Sequence, residues 1–136
     1  MAGWLGFSLM AVGLWGVWGL LSKVAAQHLP SQAVYLLAIT GHLVVMGYLA
    51  ATTGLAIPWH PAGVAAALAA GLAMAFGLLS FFRALGQAPV VVVMPLTALY
   101  PVVTVVLSIV VLHESLSPRQ FLGVALALAA VWLLSR

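Results

Sequence analysis

From Val90 to Leu112 the chain carries no charged side chain, and valines cluster at Val90 to Val93, Val102-Val103, Val105-Val106 and Val110-Val111. In a soluble protein such clusters would mark a buried strand. This run is far too long for one and gives way to a helix-start signal. Ser117 has Gln120 three residues on, with Pro118 between them at the first helical position, which is the pattern of a capping box. The stretch therefore reads as one long apolar helix, a polar corner from His113 to Pro118, and the start of a last helix. Thr97, Tyr100, Thr104 and Ser108 follow at three- and four-residue steps and so share a face. A polar stripe on such a helix needs a partner or a water-lined space.

The composition says what surrounds it. Of the 136 residues 66% are hydrophobic and only 4% are charged. A soluble domain carries about 25% charged residues, so this surface does not face water. The mean hydropathy is +1.30, and a span takes about 20 apolar residues, so five spans use most of the chain and leave short connections. The expected fold is an all-α, multi-pass integral membrane protein in one domain over residues 1–136. There is no cysteine, which excludes disulfide and thiol chemistry. The net charge of +3 comes from Lys23, Arg83, Arg119 and Arg136 against Glu114 alone. These sit singly near helix ends as interfacial anchors, without the clustering that nucleic acid would require.

In chain order, the helices are expected at about 3–24, 31–53, 62–86, 90–112 and 118–134. The first has neither the basic start nor the short core of a signal peptide, and it reads as a retained helix. Trp4, Ser8, Trp15, Trp18 and Ser22 share one face, and Gly6, Gly13 and Gly16 lie toward the other, where a second backbone can approach. Trp4 fits an interfacial belt. Trp15 and Trp18 lie deeper, either packed against neighbours and lipid or walling a cavity. On the second helix His42 is the one ionisable side chain at mid-span, facing a pathway or bonded to a neighbouring helix. Pro58-Trp59-His60-Pro61 is a turn with an interfacial tryptophan. The third helix has a ridge of Gly63, Ala67, Gly71 and Ala75. The fourth contains Pro95 and Pro101, which predict a bend between them, with Tyr100 and Thr104 toward a cavity or another protomer. Back-bonding within the helix is the alternative for Thr97, Thr104 and Ser108. On the last helix Gly123 and Ala127 make a close-packing pair.

Several of these residues resemble the EamA domain of the drug/metabolite transporter superfamily. They are Arg83-Ala84-Leu85-Gly86 before Ala88-Pro89, then Pro95-Leu96, Pro101, and Glu114-Ser115-Leu116-Ser117 followed by Gln120 and Gly123. Trp15-Gly16 and Lys23 fit the first helix, so the resemblance spans essentially the whole chain. It implies a ten-helix carrier built from two five-helix repeats of inverted topology, of which this chain is one half. The proton-coupled small multidrug-resistance branch uses a glutamate in its first helix. That helix has no acidic residue here, so the coupling is not carried over.

The resulting functional expectation is a cell-membrane transporter of small organic solutes or metabolites. It would work by alternating access as a homodimer, with the bilayer as its other partner and no cofactor or metal. The candidate substrate-binding residues are Trp15, Trp18, His42, Thr97, Tyr100 and Thr104, converging near the midplane where two repeats meet. The alternative is a non-transporting membrane subunit, or half of a lipid-linked flippase, that needs another partner. One boundary carboxylate and dispersed histidines give no acid/base pair or metal spacing, which argues against an enzyme. Helix ends on the side of the first turn carry Lys23, Arg83 and Arg136, against Arg119 on the other. This bias places the C-terminus in the cytoplasm yet is small enough to permit insertion both ways, so the inverted repeats imply an antiparallel pair. The C-terminal helices are where its twofold patch is expected.

Overall fold

A computed structural model describes residues 3–54 and 56–134, which leaves Arg136 outside the described residues. All regular structure among them is helical: α1 (Gly3–His28), α2 (Ser31–Thr53), α3 (Pro61–Gln87), α4 (Val90–Thr97), α5 (Tyr100–Leu112) and α6 (Pro118–Leu134). α4 and α5 are the two halves of one interrupted span. Gly3–His28, Ser31–Thr53, Pro61–Gln87 and Val90–Leu112 are each long and apolar enough to cross a membrane. α6, with 17 residues, is at the short end of the range of about 17–25 for a span.

Prolines set most of the boundaries. α1 runs four residues beyond the expected end near Val24, because Ala25, Ala26 and Gln27 tolerate the helix well and Pro30 stops it. Pro30 then caps α2 in an extended conformation (φ −65°, ψ 150°), and its carbonyl accepts from Ala33 and Val34. Pro89 does the same for α4, accepting from Val92 and Val93. α2 closes on Gly54 at φ 68°, the left-handed conformation that glycine adopts without penalty. The corresponding position after α5 is His113 at φ 55°; histidine is among the few side-chain-bearing residues enriched in that conformation.

The corner before α6 is the expected capping box. The Ser117 amide and hydroxyl both donate to Gln120 Oε1 (2.9 and 2.8 Å), and the Gln120 amide approaches Ser117 Oγ at 3.4 Å. Among the described residues no ion pair joins Glu114 to Arg119; the Glu114 amide instead closes on the Ser108 carbonyl at 3.3 Å. Ser117→Ala should lower stability by about 1 kcal/mol, the usual loss for an N-cap, without altering substrate choice. Thermal unfolding in detergent beside a transport assay checks both halves of that expectation.

The chain divides into two compact units at Gln87/Ala88. In the first, α1, α2 and α3 pack on one another. Its core is aromatic: Phe82 and Leu85 are fully buried, with Phe81 and Val34 nearly so. Trp18 stacks on Phe81 (centroids 5.0 Å apart, 22° between planes) and tilts against Phe82 at 6.2 Å. In the second unit α4 packs against α6. The small-residue faces do not make these contacts. A Cβ added at Gly6, Gly13, Gly16, Gly71 or Gly123 would meet nothing within 4 Å. Among the described residues the close approaches expected at these positions are not made; Trp18 of α1 meets Phe81 and Phe82 of α3 instead, with Gly19 and Ser22 the buried residues of α1.

Candidate functional site

The second unit contains the feature with the clearest chemical consequence. The fourth span breaks at Ala98-Leu99, between Pro95 and Pro101, as the two prolines predict. Pro95 cannot donate to the Val91 carbonyl, nor Pro101 to that of Thr97, since proline lacks an N–H. The chain crosses the gap with tighter bonds, Leu99 N to Leu96 O at 3.2 Å and Val102 N to Leu99 O at 2.9 Å. Thr97 and Tyr100 flank the break. The Thr97 hydroxyl turns back to the carbonyls of Val93 (2.8 Å) and Met94 (3.1 Å), Thr104 to Tyr100 (3.2 Å) and Ser108 to Val105 (3.0 Å). The back-bonding alternative therefore describes these three. Tyr100 differs, being 60% exposed with no acceptor for its hydroxyl among the described residues.

Beside the break lies a groove of about 520 Å³ lined by Leu96, Leu99, Leu128, Ala129, Val131 and Trp132. That volume falls within the range of about 300–1,000 Å³ typical of small-molecule sites. Trp132 carries no signal in the sequence that would set it apart as a groove residue. Only the packing of α6 on α4 assigns it a groove.

The other sequence-predicted residues lie in the first unit. Trp18 belongs to the aromatic core and also walls a second groove, lined with Ser22, Ala25, Val34, Ala38 and Phe82 among others. Trp15 is exposed, and so is His42 at the middle of α2. Neither has a polar partner among the described residues. Lys23, expected as an interfacial anchor, extends its ammonium to the Leu85 carbonyl at 2.8 Å. That carbonyl is in the last turn of α3, where helices leave acceptors unmet and favour positive charge. Arg83 is exposed, as an anchor would be. No three potential metal ligands cluster among the described residues.

Long apolar helices, largely exposed hydrophobic surfaces and a span broken between Thr97 and Tyr100 define a multi-pass membrane protein. Residues 2–136 match the EamA-like transporter family, and the chain belongs to that family. No curated protein and no solved structure matches it. One five-helix unit accounts for the whole match, as expected for a single-repeat member.

Proposed function

We propose that this protein moves small organic solutes or metabolites across the cell membrane by alternating access, as an antiparallel homodimer of five-helix repeats. The observation that carries the reading is the broken span. Interrupted helices near the bilayer midplane are where transporters bring backbone carbonyls and helix ends to a substrate. Here Thr97 and Tyr100 flank the break, and Leu96 and Leu99 at the break line a groove of suitable size. Trp15, Trp18, His42 and Thr104 complete the proposed binding set.

Two features support a second copy. The glycine faces of α1, α3 and α6 leave room for another helix. His42 is a polar group at mid-span with no partner in its own unit, and such groups face bundle interiors or water-filled space. The decisive experiment reconstitutes the purified protein in vesicles and screens uptake of a panel of small organic solutes, with C-terminal topology tagging and cross-linking in parallel. Saturable flux, both orientations and an antiparallel cross-link are expected. Absence of flux from the protein alone would favour a subunit that needs another partner, and a single orientation with a parallel dimer would remove the antiparallel arrangement.

His42→Ala should lower that flux on the order of fivefold, the loss of roughly one hydrogen bond, with expression and assembly intact. If assembly and flux fall together instead, His42 is a packing residue.

A further inference from the structure

The groove in the first unit points to a ligand of its own. Ser22 lines it and is only 6% exposed. Every other described serine or threonine inside a helix meets its hydroxyl locally. Ser8, Ser80, Thr53 and Thr104, for example, each donate to the carbonyl four residues back. Ser22 alone among them donates to nothing. No buried side-chain oxygen among the described residues lacks a partner, so the Ser22 oxygen is not sealed in but opens on the groove it lines. An occupant of the groove that brings an acceptor can take its hydrogen bond.

The groove itself says what kind of occupant. Apart from Ser22, its lining side chains are those of tryptophan, phenylalanine, leucine, valine and alanine. Its volume of about 220 Å³ lies below the range for drug-sized ligands and above the roughly 150 Å³ that accepts a benzene. From Trp18 to Leu29 it follows α1 for about 16 Å, close to half of a hydrocarbon core of about 30 Å. α1 is longer than that core by about 9 Å, and Ser22 lies about 9 Å from its end, so the hydroxyl falls within about one helical turn of the hydrocarbon edge. The ester carbonyls that join lipid chains to their headgroup lie at that edge. We infer that the groove seats one acyl chain of a diacyl phospholipid, whose ester carbonyl accepts a hydrogen bond from Ser22 Oγ. The inference does not rest on the transport reading, although a chain seated here covers Trp18 and would remove it from the proposed solute-binding set.

The test uses a phosphatidylcholine and its diether analogue with the same chains and headgroup, which differ only in the carbonyl. Native mass spectrometry of the purified protein with an equal mixture should show one retained lipid, ester favoured over ether by about fivefold, the effect of one hydrogen bond. Ser22→Ala should keep the retained lipid and abolish the preference. Ala38→Phe, or Ala25→Leu if the first does not fold, should fill the groove and lose the lipid. Equal retention of ester and ether by the wild type would overturn the inference. So would a preference that survives Ser22→Ala, or a retained lipid untouched by a folded groove-filling variant.

Discussion

Pro101→Ala is expected to reduce transport at least tenfold while making the protein more stable. Alanine restores an N–H opposite the Thr97 carbonyl, and Ala98-Leu99 can then join α4 to α5 in one continuous helix. Pro101 stands in the first turn of α5, where proline is tolerated. In the joined helix it would be interior and cost up to about 3 kcal/mol relative to alanine, so alanine admits the extra helical turn and raises the melting temperature. The same repair occupies the Thr97 carbonyl and reshapes the break whose Leu96 and Leu99 line the groove. Gain of stability with loss of flux is the signature of a strained functional element. Ordinary packing mutations move both quantities down together. A variant that is more stable and transports normally would show that the break serves only to shape the span. The pair is measured by thermal unfolding in detergent and by initial uptake rates in vesicles at matched protein density.

Phe82→Ala should produce the largest loss of stability in the chain. Phe82 is fully buried, touches both Trp18 and Phe81, and sits where α1 and α3 meet. Truncating a buried phenylalanine usually costs about 3–5 kcal/mol. In lipid the separated helix leaves the ring in hydrocarbon, which weakens the transfer part of that cost and leaves mainly the lost packing. A value near the lower end, about 3 kcal/mol, is therefore expected. Unfolding in mixed detergent micelles measures it, and a loss below about 1 kcal/mol would mean that the aromatic cluster does not hold α1 to α3.

What could be read in advance followed from local chemistry. Pro30, Pro89 and the Ser117-Pro118-x-Gln120 pattern act on their own backbone, and the structure places helix starts at each. Pro95 and Pro101 likewise announced the break. The partners of each helix were not legible. Periodicity tells which residues share a face but not which neighbour meets that face. In a bilayer both the packed and the lipid faces are apolar, so hydrophobicity does not distinguish them. The glycine ridges thus looked like contact surfaces, whereas Trp18, Phe81 and Phe82 make the contact. Lys23 looked like an anchor because nothing in its neighbourhood in the chain reveals the Leu85 carbonyl.

The start of α3 is held by a ring nitrogen: the Gly63 amide donates to His60 Nδ1 at 3.1 Å. A nitrogen that accepts carries no hydrogen, so the neutral ring has its proton on Nε2, and a doubly protonated imidazolium could not make the bond at all. Gly63 matters here for another reason than helix packing, since a Cβ on it would stand 3.3 Å from that same nitrogen. One side chain is thereby committed to a single tautomer by the backbone it caps. In nitrogen-15 spectra the two ring resonances of His60 would report, without any label elsewhere, whether the third span has begun to fray.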